Sequence, residues 1–180
     1  MLNTQQKQFV QAIEALDLEQ VKNLLATGLD PNFMVPEEGP AVSVWSDGLF
    51  KWWEQVAEAY EAHQPFSEAE KSEQLQVHLD ILEALLVAKV NVHLWDSEEV
   101  YGPLWDAASA ACAPAVQRLL DEKVDPNTKD EDGFTILSSI SQLLFDCDFD
   151  QVDWDHALLE EKQTLQLLRS HGAKMTKELV

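Results

Sequence analysis

One pattern constrains this chain more than any other. Gly102-Pro103-Leu104-Trp105-Asp106-Ala107-Ala108 opens a short apolar helix. Ala113-Pro114-Ala115-Val116-Gln117-Arg118-Leu119-Leu120 follows as a second helix, then Val124-Asp125-Pro126-Asn127 as a turn. Asp132-Gly133-Phe134-Thr135-Ile136-Leu137 then opens the same pattern again. Pro103 and Ile136 hold matching positions 33 residues apart (136 − 103). A period of that length, holding two helices and a turn, is a unit too small to bury its apolar face alone, so neighbouring units must stack.

The rest of the chain keeps this rhythm. Phe9, Val10, Ile13 and Leu16 fall at helical spacing. Asp17 with Gln20 three residues on is a capping-box signature for a second helix lined by Val21, Leu24 and Leu25, which Gly28 ends in a left-handed turn before Leu29-Asp30-Pro31-Asn32. Met34 to Pro40 reads as a turn, and Gly39-Pro40 echoes Gly102-Pro103. Leu49, Trp52, Trp53, Val56 and Tyr60 give one apolar face on a helix from about 49 to 63, which Gln64-Pro65-Phe66 breaks. Ser67 and Glu70 form another capping box before a long helix with Leu75, Leu79, Leu82, Leu85 and Leu86 inward, ending at Val90-Asn91-Val92. This second unit is enlarged by an insertion between or within its two helices, from about 45 to 76. Pro114 fits a first helical turn, where its missing N–H costs nothing. In the last unit Ile136, Leu137, Ile140, Leu143 and Leu144 line the first helix. Asp153 or Asp155 caps the second, which Leu158, Leu159, Leu165 and Leu168 line, and His171-Gly172-Ala173-Lys174 closes it.

The openings resemble the T-P-L-H-x-A-A and D-G-x-T-P-L signatures of the ankyrin-repeat family, and the closings its G-A-D-x-N ending. Gly102 stands in place of the threonine, Trp105 of the histidine, Ile136 of the second proline and Lys174 of the last aspartate. The resemblance implies an all-α, ankyrin-like helix-turn-helix repeat solenoid. It would be one domain over residues 1–180, with repeats at about 4–33, 39–92, 101–127 and 132–174. An irregular α-solenoid of another kind is the alternative.

The charge excludes some partners. Of 180 residues 33 are acidic and 12 basic, a net charge of −21. Nucleic acid and anionic membranes are polyanions and are not expected partners, whereas a basic protein would be drawn in faster; plain solubility is the other use of such a charge. Cys112 and Cys147 form no disulfide framework or thiolate metal spacing, which suits a reducing, cytoplasmic setting. The first residues lack the apolar core of a signal peptide, and no apolar run approaches the roughly 20 residues of a membrane helix. A monomer is expected when the protein is free.

The search for chemistry is mostly negative. From Asp146, the sixth and twelfth positions of a calcium-binding loop hold Gln151 and Ala157 instead of Gly and Glu, so Asp146–Asp155 reads as an acidic solvated loop with at most weak cation binding. His63, His78, His93, His156 and His171 form no metal motif, and His156 with Glu160 reads as an ordinary helix-face pair. No nucleophile elbow or phosphate-binding loop is present, and no catalytic residue, cofactor or metal is expected. Of the tryptophans, Trp105 and one of Trp52 and Trp53 are assigned to the core. Trp45, Trp95 and Trp154 lie near predicted turns, where they either plug gaps between repeats or serve as exposed anchors.

Acids gather in the predicted turns: Glu37 and Glu38; Asp96, Glu98 and Glu99 between Trp95 and Tyr101; Asp130, Glu131 and Asp132; and Asp148, Asp150 and Asp153 between Phe149 and Trp154. Stacked repeats would set these fingers side by side as one binding edge. Solvated loops are charged in any case, and Asp130 and Asp132 have a second use in turn chemistry. The expected function is therefore a non-catalytic module that binds a basic protein. A stoichiometric inhibitor is the leading version, by analogy of architecture and charge with ankyrin-like immunity proteins that neutralise a bacterial toxin or nuclease. A scaffold with an apolar interface, an unrecognised enzyme and a calcium-modulated module are the alternatives.

Overall fold

The computed structural model describes residues 1–93, 102–145, 149–152 and 159–179. The described chain is mostly helical and divides into two compact units, Met1–Gly102 and Pro103–Val180. The first unit holds α1 (Thr4–Glu14), α2 (Leu18–Ala26), a hairpin of β1 (Met34–Val35) and β2 (Gly39–Pro40), α3 (Ala41–Glu61) and α4 (Glu68–Val87). The second holds α5 (Pro103–Ser109), α6 (Ala113–Asp121), α7 (Ile136–Phe145) and α8 (Leu159–Ser170). No helix among the described residues is long and apolar enough to cross a membrane.

Both units are built alike. Each has two helical hairpins, with first helix packed on first and second on second: α1 on α3 and α2 on α4, then α5 on α7 and α6 on α8. The correspondence extends to single hydrogen bonds, at an offset of 95 residues (127 − 32). Asp17 N donates to Ala12 O at 2.8 Å, and Cys112 N to Ala107 O at 2.9 Å, around the left-handed Leu16 (φ 54°) and Ala111 (φ 49°). Met34 pairs with Pro40, and Lys129 with Thr135. Pro103 and Ile136, the two matched openings, each begin a first helix.

Local chemistry explains the helix limits. Asn3 and Gln6 cap α1 reciprocally, as do Ser67 and Glu70 for α4. Asp17 caps α2 by accepting from Gln20 N at 3.0 Å, and Pro114 sits in the first turn of α6. All four second helices end on a left-handed residue: Gly28 and Gly172, but also Lys89 and Lys123. A side chain there costs about 1 kcal/mol, so the turn is held by its surroundings rather than by glycine's freedom.

Those surroundings centre on one asparagine per unit. Asp30 Oδ1 accepts from Asn32 N, and Asp125 Oδ1 from Asn127 N, both at 2.9 Å. Each asparagine is thereby aimed at the next closing turn. Asn32 Nδ2 donates to Lys89 O (3.1 Å) while its Oδ1 accepts from Asn91 N (2.6 Å). Asn127 does the same with Gly172 O (3.1 Å) and Lys174 N (2.9 Å).

The cores lie between the layers. In the first unit Phe9, Ile13, Val21, Trp45, Leu49, Ile81, Leu82 and Leu85 are buried. In the second, Leu104, Trp105, Val116, Leu119, Ile136, Leu137, Leu165 and Leu168 are buried. Trp45 Nε1 donates to His78 O at 2.9 Å, and Trp105 Nε1 to Thr128 Oγ1 at 3.0 Å, so each indole fills the core and satisfies its N–H.

Several expectations are corrected. The first helix of the enlarged hairpin begins at Ala41, not near 49, because Pro40 adopts an extended cap conformation that needs no side-chain bond. Trp45 therefore lies inside α3 and is buried rather than near a turn. Leu16 leaves α1 as the left-handed residue of the loop. Leu143 is 61% exposed although it continues the line of Ile136 and Ile140, and Leu159 is 64% exposed because it lies on the side of α8 away from Thr164, Leu165 and Leu168. Tyr60 is 75% exposed, since the buried face of α3 ends at Trp52. The expected helix cap at Asp153 or Asp155, with Leu158, lies outside the described residues.

Asn32→Ala and Asn127→Ala are each expected to lower unfolding free energy by about 1–3 kcal/mol, measured by urea denaturation, since each strands a donor and an acceptor of its partner turn. Asn32→Asp should lose more than half of that, because a carboxylate still accepts from Asn91 N but repels the Lys89 carbonyl.

Candidate functional site

The first finger, residues 33–41, is a hairpin whose tip turns through Glu37 (φ 70°) and Gly39 (φ 79°). Ala41 N donates to Phe33 O at 2.9 Å and Val35 is buried, so the hairpin is anchored at its base. Glu37 and Glu38 are exposed at the tip. The Glu38 carboxyl is held above the usual range, first by partial burial and then by the nearby charges of Glu14 and Asp47. Lys51 opposes this but is itself bonded to Asp47 at 2.6 Å. Glu14 at the end of α1, Glu37 and Glu38 on the finger and Asp47 on α3 thus gather around one lysine. Sequence spacing did not join Glu14 and Asp47 to the finger, because only the packing of α1 on α3 brings them there.

The second finger, residues 129–135, is built differently at the same position. Asp130 Oδ1 accepts from Phe134 N at 2.7 Å and its Oδ2 from Ser139 Oγ at 2.8 Å. One carboxylate oxygen is thus engaged within the finger and the other by α7, and Gly133 (φ 81°) completes the turn. Glu131 and Asp132 are left exposed. Asp132 matches Glu37 at the offset of 95 residues (132 − 37), so the two fingers place a carboxylate at one equivalent site.

The remaining predicted residues divide between engaged and undescribed. Asp150 lies 3.4 Å from Lys177 Nζ. Phe149 carries the Arg169 guanidinium 5.7 Å from its ring centre. Arg169 also grips Glu178 in a fork at 2.5 and 2.7 Å, which holds the Glu178 carboxyl down at about 2. Trp95, Asp96, Glu98, Glu99, Tyr101, Asp148, Asp153 and Trp154 lie outside the described residues, as does most of the Asp146–Asp155 loop.

Catalytic geometry is sparse. Among the described residues no three His, Cys, Asp or Glu side chains gather as a metal site. Cys112 is buried, and burial pushes its thiol up to about 11, far from the reactive range. His78 is 2% exposed, and neither ring nitrogen has a hydrogen-bond partner. Its ring lies 5.7 Å from that of Trp52, whose Nε1 is likewise buried and unpartnered. Burial alone lowers the imidazole to about 4, so His78 is neutral at pH 7. A neutral imidazole with no carboxylate to orient it is not arranged as a general base.

Compared with known proteins, the chain matches no protein-family model, and no curated protein is significantly similar to it in sequence.

His78 makes a sharp pH prediction. Its folded value of about 4 lies below the ordinary imidazole value of 6.5. The unfolded chain therefore takes up a proton that the folded chain refuses, and stability falls as pH drops from 6.5 towards 4. At pH 5 the loss is about 2 kcal/mol relative to pH 8. Comparing wild type with His78→Leu by urea denaturation at both values isolates this loss from the carboxylates, and the difference between the two proteins should change by that amount.

Proposed function

We propose that this protein is a non-catalytic, ankyrin-type binding module whose acidic loop edges take a basic protein. The observation that carries the reading is the pair of fingers. Two turns with different internal bonding, one tied by Asp130 and one by the anchored hairpin, both leave carboxylates at their tips without a partner among the described residues, Glu37 and Asp132 among them. Turn chemistry does not require this, since Asp130 alone supplies the bonds of its finger.

The ankyrin reading draws on the repeated hairpin-and-finger unit, the Asp-Pro-Asn closings and the asparagine bonds between successive closings. An acidic binder whose described residues gather no metal-site cluster suits a stoichiometric inhibitor acting in the cytoplasm. Neutralisation of a basic toxin or nuclease, in the manner of an immunity protein, is the version we favour. Charge would speed capture of such a partner, while apolar contacts would hold it. Met34 and Phe134 are both about half exposed on the fingers, which favours a second reading as a scaffold with a largely apolar interface.

Association kinetics with the native partner, recovered by pull-down and identified by mass, test the two readings. For an acidic site the association rate should fall at least tenfold between 50 and 500 mM salt. Glu37→Lys together with Asp132→Lys should slow association by a similar factor. A rate indifferent to salt and to both substitutions would sink the acidic site and leave the scaffold.

A further inference from the structure

The two units are superimposable in residue pattern except at one place. Phe145, the last described residue of α7, matches Phe50, and α3 runs on from Phe50 to Glu61. The closing turns of α4 and α8 correspond at an offset of 83 residues (172 − 89), with Leu82 and Leu165, Leu85 and Leu168, and Val92 and Met175 buried alike. The register changes from 95 to 83 residues between Phe50 and Lys89, so this hairpin is 12 residues longer than its counterpart (95 − 83). The insertion anticipated in the sequence falls in this hairpin, whose two helices run 21 and 20 residues. The buried residues of α3 stop at Trp52 and those of α4 start at His78, so this arm contributes almost nothing to the core. Its own closure needs little more than half-buried Val56, Phe66 and Leu75 and the Ser67–Glu70 cap.

What the arm presents has two parts. Trp53, Val56 and Tyr60 recur at helical spacing along one edge of α3, with Trp53 leaning on Trp52 (6.5 Å) and Tyr60 75% exposed. About a third of a turn round the helix from this edge, Glu54, Glu58 and Glu61 form an exposed acidic stripe at i, i+4, i+7. Like charges at this spacing destabilise an isolated helix, and none of the three has an ion-pair partner among the described residues. The nearest lysines in sequence are taken: Lys51 by Asp47 and Lys71 by Glu68, each at 2.6 Å.

We propose that this arm, residues 51–75, is a docking element for a basic amphipathic segment of another protein. Apolar side chains of the segment would cover Trp53, Val56 and Tyr60, while its lysines or arginines would meet Glu54, Glu58 and Glu61. Charge complementarity selects the occupant: a second copy of this chain, at net −21, would be repelled, and an anionic surface likewise. The proposal rests on the acidic-binder reading but places the contact on the arm as well as, or in place of, the fingers.

The test uses the full chain, isotope-labelled for NMR, titrated with a synthetic 18-residue peptide of lysine and leucine at amphipathic helical spacing. A glutamine-for-lysine version of the peptide is the control. The largest shift changes should fall on residues 51–75. A Glu54→Lys, Glu58→Lys, Glu61→Lys variant should weaken binding at least tenfold. A Tyr60→Ser variant should weaken it at least threefold, with helicity unchanged by circular dichroism. A finger variant, Glu37→Lys with Asp132→Lys, should change it less than twofold. Shift changes confined to the fingers, with loss only in the finger variant, would overturn the arm and leave the acidic-binder reading intact. Equal binding of the lysine and glutamine peptides, or no binding of either, would overturn both.

Discussion

Each unit depends on a single asparagine that bridges two successive closing turns. Helix packing alone would leave these turns free to slide, because apolar faces are tolerant of small shifts. The amide of Asn32 or Asn127 offers one donor and one acceptor in fixed geometry, and the facing turn offers a carbonyl and an N–H to match. An aspartate two residues earlier, bonded to the asparagine backbone, fixes the direction of reach. The register of second helix on second helix follows from that clasp, and so does the register of the buried leucines above it. The left-handed Lys89 is gripped from outside by Asn32, whereas the turn at Lys123 is closed by local bonds of Lys123 N to Leu120 O and Val124 N to Leu119 O.

Much of this was legible where the chemistry is local. Asp17, Ser67 and Pro114 mark helix starts, and Gly28 and Gly172 mark helix ends, because caps and left-handed turns involve residues only a few positions apart. The 33-residue step from Pro103 to Ile136 correctly located two first helices. The larger correspondence was hidden. Its identities are scattered, in Asp-Pro-Asn, in Ser43 with Ser138 and in Ser46 with Ser141, and the lengthened hairpin disrupts the spacing between them. The start of α3 was lost because Pro40 caps through its backbone shape and carries no polar signature. Leu159 is apolar yet faces away from the Leu165–Leu168 side of its helix, and Leu143 shares the line of Ile136 and Ile140 yet lies beyond the buried part of α7.

The candidate site was legible in composition but not in arrangement. Acids at the fingers were plain in the sequence, yet their roles diverge. Asp130 is consumed by its own turn and by Ser139 of α7, whereas Glu38 sits among Glu14 and Asp47, which lie far from it in sequence. Aromatic residues separated in the same way. Trp45 and Trp105 each satisfy an indole N–H inside the core, while Trp53 and Tyr60 lie on an edge that the core does not reach. Burial alone decides between these fates, and burial depends on contacts between helices that no single stretch encodes.

The lengthened hairpin also shows how such a frame handles growth. The bonds that close each unit all sit at one end of its helices, in the fingers and the Asp-Pro-Asn turns. At the opposite end α3 and α4 are joined by residues 62–67 and the Ser67–Glu70 cap. Whole helical turns added there displace no clasp and no buried leucine, so hairpin reach is decoupled from frame integrity. A chain of this design can vary the dimensions of one projection while leaving its neighbours unaltered.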